Sequence, residues 1–251
     1  MKSIYIAGGK ASNTAVNIVK GHLEELGHKV TRNAKDPAGW DVTLRWGISY
    51  HRDKPAINAG VNRFDKFEAF TQFDKAHIRC PRTISMKEDE YDFGEGVLLA
   101  RKRHHIKGKD IVVCKTLEDI ERIICHGEHD FFSVFIPTQT EYRVWVFQDK
   151  IFGIYEKVFK GEGEYEGFMR NRRFGFKFEK RDNLRGMKEI EVPCIKAVEA
   201  LNMDFGAVDV ILGKDGKIYV LEVNSMSHID SPKRSTGIRL ANLFSRWAEE
   251  Q

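Results

Sequence analysis

A strand-turn-strand segment near the carboxyl end carries acidic groups inside its most apolar stretches. The first stretch is AVDVIL, which contains Asp209, and the second is IYVLEVN, which contains Glu222 and Asn224. The polar turn GKDGK between them predicts an antiparallel hairpin. Since successive side chains of a strand alternate between its faces, Glu222 and Asn224 share a face, and the turn can bring Asp209 beside them.

These three side chains predict a cation site. Two carboxylates and an amide oxygen gathered in a partly buried place repel one another unless a positive charge neutralises them. Ligands that are all oxygen select a hard ion, and magnesium in particular when phosphate oxygens complete its shell. The alternative is a hairpin whose acids lie on its solvent-exposed side. The convergence of three donors favours metal ligation by Asp209, Glu222 and Asn224.

Composition limits the class of protein. A chain of 251 residues is long enough for one large domain or two to three closely packed subdomains. Its hydrophobic share of 41% and charged share of 31% are typical of a soluble globular protein. No apolar run approaches the roughly 18 residues of a transmembrane helix and no signal-peptide core is seen, so we expect a cytoplasmic protein. The four cysteines lack CxxC spacing, which argues against zinc and a disulfide framework.

The amino-terminal segment alternates between strand and helix patterns. SIYIAGG, ASNTAVNIVKGHLEELG and HKVTRN predict a βαβ unit and hence a parallel sheet. The pair Gly8 and Gly9 could cradle a phosphate, but the spacings GxGxxG and GxxxxGK[ST] are absent. A tight strand-to-helix turn is therefore favoured.

The rest of the chain predicts a mixed α+β fold. Aromatic spacing from Phe64 to Phe73 predicts a helix that ends before Ile78, and a second helix begins at Thr116 as its N-cap. A run of antiparallel strands follows, with one helix at MKEIEVPCIKAVEALN. The predicted fold class is thus α/β followed by α+β.

Two basic segments stand out against a net charge of only +4. They are RKRHHIKGK at 101–109 and RNRRFGFKFEKR at 170–181. Such clusters are typical of a polyanion-binding surface or of a solvated face, and charge alone favours the solvated face.

The acidic hairpin also carries a resemblance to a known family. VDVILGKDGKIYVLEVN resembles the signature of the ATP-grasp ligases, which implies that Asp209, Glu222 and Asn224 hold Mg²⁺ on ATP. NRFDKFEAFTQFDKAHIRCPRT resembles the family's R-D-K helix, which implies that Lys66 is the first ATP-binding lysine. The resemblance covers the chain from about residue 58 onward.

Further segments resemble the family's ATP cleft. VLLARKRHHIKGKDI resembles the strand and glycine loop over the phosphates, with Arg101 and Lys102 where the family has a lysine before Gly108. Arginine can serve there because its guanidinium is always charged and binds phosphate bidentately. DFFSVFIP resembles the hinge strand, which implies that the main chain from Ser133 to Phe135 binds adenine.

Two more segments resemble the reacting end of the cleft. TEYRVWVFQDKIFGIYEK resembles the family's D-I-R strand, which implies that Arg143 faces the reacting phosphoryl group and that Lys157 reaches the same cleft. GFMRNRRFG resembles the loop FR.N...GG, which implies that Arg170 and Asn171 lie at the phosphoryl and substrate site. Phe176 replaces the second glycine of that loop.

The loop SMSHID after the hairpin departs from the family pattern. Many members continue with a small residue and then Pro-Gly, whereas this chain has Ser227 and His228 in the corresponding stretch. A substrate pocket particular to this chain is therefore expected there. His228 is a candidate acid, base or substrate contact, although a loop histidine more often has none of these roles.

The resemblance implies a fold, cofactors and a reaction. The expected ATP-grasp fold has a pre-ATP-grasp α/β domain at 1–60, a small lobe with linker helix at 61–133 and a carboxyl-terminal lobe at 134–251, the two lobes clasping ATP. The expected reaction is ATP- and Mg²⁺-dependent ligation of a carboxylate to an amine through an acylphosphate. The substrates would be small molecules or peptides, including an acidic peptide.

Two other functions stay open at this stage. A small-molecule kinase could use the same cleft and leave a stable phosphoester. A nucleic-acid-binding protein could use the two basic segments, and would then bind with a steep salt dependence. The nucleic-acid alternative is not favoured because it leaves the acidic hairpin unexplained, and no membrane partner is expected.

Overall fold

The computed structural model describes residues 1–8, 13–32, 39–46, 55–59, 64–86, 96–104, 110–163, 165, 167–181, 188–225 and 235–251. The strands are β1 Ser3–Gly8, β2 Lys29–Arg32, β3 Val42–Trp46, β4 Ala56–Ile57, β5 Thr83–Ser85, β6 Leu98–Arg101, β7 Val112–Cys114, β8 Phe131–Val134, β9 Thr138–Phe147, β10 Lys150–Phe159, β11 Phe176–Lys180, β12 Phe205–Gly213 and β13 Ile218–Asn224. The α-helices are α1 Asn13–Glu25, α2 Lys66–Lys75, α3 Leu117–His126, α4 Lys188–Ala200 and α5 Ser235–Glu250.

The first sheet is parallel, as the βαβ pattern predicts, with strand order β2-β1-β3-β4. Its apolar side chains, among them Ile4 and Leu44, share one core with α1 and α5. The same core includes Trp145 and Phe205 of the third sheet. The amino-terminal strands are therefore packed against the large carboxyl-terminal lobe. Within the described ranges, no helix combines the length and the apolar composition that crossing a bilayer requires.

The second sheet is antiparallel, with strand order β5-β8-β6-β7. One face packs Ala100 and Phe132 against Ile120 of α3. The helix α3 begins after Thr116, as predicted, because the Thr116 side chain accepts a hydrogen bond from Asp119 N. The opposite face carries Arg101, Phe131 and Ser133.

The helix α2 connects the first sheet to the second. It ends at Lys75, before Ile78 as predicted, and it begins with a capping box in which Asp65 and Glu68 bind each other's backbone N–H. Its Phe67 ring contacts Phe131 of β8 edge-on, with centroids 5.4 Å apart. This contact fixes α2 across the second sheet.

The third sheet is antiparallel, with strand order β11-β10-β9-β12-β13. One face packs on α4 and α2 through residues such as Val144 and Val208. Its opposite face is apolar at one end, where Trp145 joins the first core, and charged at the other end, where Arg143 and Asp209 lie. The charged end of this face forms one wall of the candidate site.

A β-bulge in β13 turns the metal-ligand candidates toward that wall. Asp209 pairs with Glu222 and the next residue, Val210, pairs with Val220, so Leu221 is the extra residue. Val220 is fully buried on the α4 side, whereas Glu222, only two residues later, lies opposite Asp209 on the charged face. Bulges commonly re-aim side chains in this way beside functional sites.

Asn58 joins the first sheet to the third. It is 1% exposed, its Oδ1 accepts hydrogen bonds from the backbone N of Asp204 and Phe205, both at 2.8 Å, and its Nδ2 donates to Phe205 O at 2.9 Å. Its φ of 60° lies in the left-handed region, which asparagine tolerates better than most residues. Its Nδ2 also donates to Arg45 O of β3 at 3.4 Å, so one side chain binds four backbone groups at the two sheets.

We expect Asn58→Ala to lower the free energy of unfolding by about 3 kcal/mol or more. The substitution leaves buried N–H groups unpaired, at roughly 1–3 kcal/mol each, and adds the left-handed penalty of alanine. Asn58→Gly is the matched variant, because it loses the same hydrogen bonds without that penalty and should recover about 1 kcal/mol. Urea denaturation measures both, and an Asn58→Ala variant as stable as the wild type would contradict the assignment.

His28 connects β2's amino-terminal end to the carboxyl-terminal helix α5. Its side chain is fully buried, its Nδ1 accepts from Lys2 N at 3.2 Å, and its Nε2 lies 2.7 Å from Ser245 Oγ. Because Nδ1 accepts, the neutral ring carries its proton on Nε2 and donates it to Ser245. Burial lowers the pKa of His28, against the opposing charge of Glu249 at 3.9 Å.

We expect this site to weaken the protein in acid. The unfolded chain takes up the His28 proton near pH 6.5 whereas the folded protein resists it, so the stability present above this pH is lost as the pH falls below it. Melting temperatures between pH 7.5 and 5.5 measure the effect. His28→Gln should flatten the acid side of the profile, and the exposed control His126→Gln should leave it unchanged. An unaltered profile in His28→Gln would refute the prediction.

Candidate active site

The three predicted metal ligands lie together on the charged face of the third sheet. Asp209 and Glu222 are direct cross-strand partners, and Asn224 Nδ2 donates to Glu222 Oε1 at 2.7 Å. Lys66, the first residue of α2, forms an ion pair with the other oxygen of Glu222. The helix and the hairpin, far apart in sequence, thus meet at one carboxylate.

Arg143 holds Asp209 in a bidentate ion pair. Its Nε and one terminal nitrogen donate to the two Asp209 oxygens, both at 2.7 Å. The guanidinium carbon lies 4.6 Å from the centroid of the Phe178 ring on β11. Although burial acts to lower it, the charge of Asp209 and the hydrogen bonds to it raise the pKa of Arg143. Arg143 therefore stays charged in the site.

Glu222 is the carboxylate on which the local positive charges converge. Although burial acts to raise it, the charge of Lys66 lowers the pKa of Glu222 to about 2, helped by the hydrogen bonds from Lys66 and Asn224 and by the charge of Arg143. Arg101, from the second sheet, is also electrostatically coupled to Glu222. Side chains from three parts of the chain therefore act on one ionised acid.

Sequence reasoning missed Glu141, which pairs with the predicted cleft residue Lys157. Glu141 is 6% exposed and forms an ion pair with Lys157 of the neighbouring strand β10. Burial raises the pKa of Glu141, and the charge of Lys157 opposes this shift. The available signal was its position two residues before Arg143, which puts both side chains on one face.

The second sheet contributes Arg101 and Ser133, two residues that were predicted separately and that contact each other in the structure. Arg101 Nε donates to Ser133 Oγ at 2.7 Å, and burial lowers the pKa of Arg101 to about 10. Lys102, beside Arg101, is partly exposed. The backbone N–H of Phe135 donates to Val97 O at 2.8 Å. In the segment predicted to bind adenine, that N–H is thus already bonded, and the side chain of Ser133 has a partner of its own.

The loop after β10 brings Arg170 to the same wall. Its guanidinium donates to Thr138 O at 2.8 Å. The positive charge of Arg170 also acts to lower the pKa of Glu141. The side chain of Asn171 instead accepts from Arg173 N at 3.0 Å and caps a 3₁₀ turn. The turn ends at Gly175, whose φ of 83° glycine adopts without strain.

The donor set fits a magnesium ion that shares its shell with phosphate. No cluster of three or more His, Cys, Asp or Glu residues suited to a metal occurs among the described residues. The hairpin offers two carboxylates and an amide, and Asn224 turns its NH₂ group to Glu222, so its Oδ1 is left to accept. Magnesium commonly takes one or two protein carboxylates, with phosphates and waters completing its shell. Each carboxylate oxygen also has a second lone pair beyond its ion pair.

Four positions discussed from the sequence, Gly9, Gly108, Ser227 and His228, lie outside the described residues.

Comparison with known proteins identifies a related family of domains. The family model of the RimK-like ATP-grasp domain matches residues 62–247. No curated protein matches the sequence significantly.

Solved structures share the fold at low identity. The ligase PsnB, described as an ATP-grasp ligase complexed with minimal precursor, Mg and ADP, is 13% identical with a TM-score of 0.73 over 98% of this chain and 97% of that one. D-alanine–D-alanine ligase from Bacillus anthracis is 15% identical with a TM-score of 0.67 over 100% and 99%. A RiPP-associated ATP-grasp ligase from Chryseobacterium gregarium, in complex with ADP and a leader and core peptide, is 14% identical with a TM-score of 0.69 over 98% and 97%.

Proposed function

Because this chain belongs to the RimK-like ATP-grasp family, we propose that its cleft joins the carboxylate of an acidic peptide to an amine. The class of reaction follows from the family: the chain is an ATP-dependent carboxylate–amine ligase that uses ATP and Mg²⁺. The observation that carries the ligase assignment is the pairing on the charged face of the third sheet, where Lys66 forms an ion pair with Glu222 and Arg143 forms one with the neighbouring Asp209.

We assign the acidic hairpin to magnesium. Asp209, Glu222 and Asn224 would hold the ion, whose charge offsets the repulsion between the nucleotide's phosphates and an approaching carboxylate. Lys66 and Arg143 form ion pairs with Glu222 and Asp209 of this hairpin. Lys66 and Arg143 therefore lie beside the carboxylates at which we expect the magnesium-bound phosphates of the nucleotide.

We assign the remaining cations to the phosphates and the transferred group. Lys66, Arg101 and Lys102 would bind the nucleotide phosphates, with Lys157 reaching the cleft beside them. Arg143 and Arg170 would stabilise charge at the transferred phosphoryl group. The support is electrostatic, because fixed positive groups in a partly dry site stabilise charge that develops during phosphoryl transfer.

Three finer assignments belong to the same proposal. Ser133 and Phe135 would lie at the nucleotide, and Asn171 would shape the substrate loop through the turn that it caps. The division into domains at 1–60, 61–133 and 134–251 is supported by the three sheets, which use residues 3–57, 83–134 and 138–224. A cytoplasmic setting is supported by the use of ATP and by four free cysteines.

The reaction has two bond-making steps. A substrate carboxylate oxygen bonds to the γ-phosphorus of ATP while the bond to the leaving ADP oxygen breaks. An ammonium group loses one proton to become a neutral amine, whose nitrogen bonds to the acyl carbon and then gives up a second proton, while the bond from that carbon to the phosphate oxygen breaks and inorganic phosphate leaves. The named side chains would contribute electrostatic stabilisation and positioning, and neither step requires a nucleophilic serine or cysteine.

Two observations support an acidic peptide as the carboxylate substrate. Arg172 and Arg173, which follow Arg170 in the same loop, are exposed and add positive charge beside it. Structures that share this fold include complexes with precursor peptides, such as PsnB with its minimal precursor. A chain of carboxylates would be attracted by this surface at moderate salt.

The test is turnover of Mg·ATP with two substrate panels, free amino acids and short peptides rich in Asp and Glu, each with and without added amine. We expect phosphate release together with a peptide product that has lost one water. A condensed product from free amino acids alone would overturn the peptide assignment but keep the ligase. A stable phosphoester would instead identify a kinase, and ATP consumption without any condensed product would contradict the proposal.

A further inference from the structure

Arg101 and Ser133 occupy one face of the second sheet, on neighbouring strands. Ser133 pairs with Leu99, two residues before Arg101, so Arg101 and Ser133 are diagonal neighbours on the face turned away from α3. Ser133 is fully buried. The contact between them is a directed hydrogen bond, from Arg101 Nε to Ser133 Oγ at 2.7 Å.

An arginine at this position has a requirement that a lysine would not have. Its Nε–H is a donor fixed in the plane of the guanidinium, close to the buried end of the side chain, and a buried donor without an acceptor is costly. The hydroxyl of Ser133 supplies that acceptor. Among the described residues, the two terminal NH₂ groups of Arg101 make no hydrogen bond, so the guanidinium keeps donors for a phosphate.

The charge of Arg101 also reaches across the cleft. The charge of Glu222 in the third sheet acts to raise the pKa of Arg101, against the lowering by burial, so the two groups interact electrostatically. The guanidinium is planar, so the hydrogen bond at Nε also sets the directions of the two terminal NH₂ groups of Arg101.

We propose that Ser133 is a positioning residue, whose hydroxyl anchors the Nε of Arg101 and so orients the terminal guanidinium nitrogens toward the nucleotide phosphates. This inference rests on the proposed function, because it takes the phosphates as the ligand of Arg101. It gives the side chain of Ser133 a role separate from any main-chain contact with adenine. The pair acts as one unit, and the serine matters only because the cation is an arginine.

Four proteins test the coupling: wild type, Ser133→Ala, Arg101→Lys and the double variant. Calorimetric titration with Mg·AMPPNP gives the nucleotide Kd of each. We expect Ser133→Ala to weaken binding about tenfold in the wild-type background, as for loss of a hydrogen bond to a charged group. In the Arg101→Lys background the same substitution should change Kd less than twofold, because an ammonium has no Nε–H to anchor.

A matched control separates positioning from general loss of a buried hydroxyl. Ser245→Ala removes a buried serine hydrogen bond far from the cleft, to His28, and should lower the melting temperature without changing the nucleotide Kd. The inference is overturned if Ser133→Ala weakens binding equally in both Arg101 backgrounds, or if it leaves the wild-type Kd unchanged. A wild-type protein that does not bind Mg·AMPPNP would instead contradict the proposed function.

A second measurement needs no nucleotide. The Nε–H resonance of Arg101 in isotope-labelled protein is identified by its absence from Arg101→Lys. It should exchange slowly with water in the wild type and much faster in Ser133→Ala. Equal exchange rates in the two proteins would refute the anchoring, even if Arg101→Lys binds nucleotide too weakly for titration.

Discussion

Glu222→Gln should reduce ATP-dependent product formation by roughly a hundredfold to a thousandfold, the usual result of removing one electrostatic group from a site of this kind. Glutamine has nearly the same shape but no negative charge, so it cannot neutralise Lys66 or bind Mg²⁺ with the strength of a carboxylate. The rate of coupled phosphate release measures the loss. A Mg²⁺ titration should also show saturation at higher metal concentration than in the wild type.

The matched control lies on the same hairpin. Asp215, in the turn between β12 and β13, is exposed and binds Tyr219 rather than any cleft residue. Asp215→Asn should therefore keep both the turnover and the Mg²⁺ dependence. If Glu222→Gln turned over ATP at the native rate, the assignment of the hairpin to magnesium would have to be abandoned.

Arg143→Met should lower the free energy of unfolding by about 3 kcal/mol, because it leaves the carboxylate of Asp209 buried without its partner. The Asp209 side chain is only 10% exposed, so water can replace little of the lost interaction. Adding Asp209→Asn should recover most of this stability, since the uncompensated charge is then gone. Urea denaturation of the single and double variants measures the difference, and both variants should be inactive.

An exposed ion pair provides the comparison. Arg181 pairs with Glu156 at the surface of the same sheet, and Arg181→Met should change stability little, as is usual for solvent-exposed pairs. If Arg143→Met were equally mild, or if Asp209→Asn failed to restore stability, the bidentate pair would not be the structural element that we infer.

The local part of the site could be predicted from the sequence. Alternation along a strand is enough to place Glu222 and Asn224 on one face, and both residues lie on the charged face of the third sheet. The same alternation applied one step further fails, because it would put Val220 beside them. Because of the bulge at Leu221, the Val220 side chain points to the opposite face of the sheet. Nothing in the segment IYVLEVN predicts this extra residue.

The contacts between distant segments could not be predicted in the same way. Lys66 was expected at the nucleotide from its helix motif, but its partner Glu222 is 156 residues away, and such pairing depends on how the lobes pack. Glu141 was overlooked because a single acid in a strand is usually a surface residue, and only Lys157 on the next strand shows why it is buried. For Ser133 the resemblance implies only a main-chain role. Its side-chain hydrogen bond to Arg101 depends on the pairing of two strands, which the sequence does not show.

The packing of α5 against α1, within the core that the first sheet shares, bears on how this protein reaches its native state. His28 and Ser245 are 217 residues apart, yet both help to complete the core that contains Ile4 and Leu44. In a nascent polypeptide, the core around the early strands would stay incomplete until α5 has been synthesised. Contacts between residues so far apart in sequence slow folding and leave apolar surface of the amino-terminal strands exposed. We therefore expect chaperones to bind these strands during synthesis.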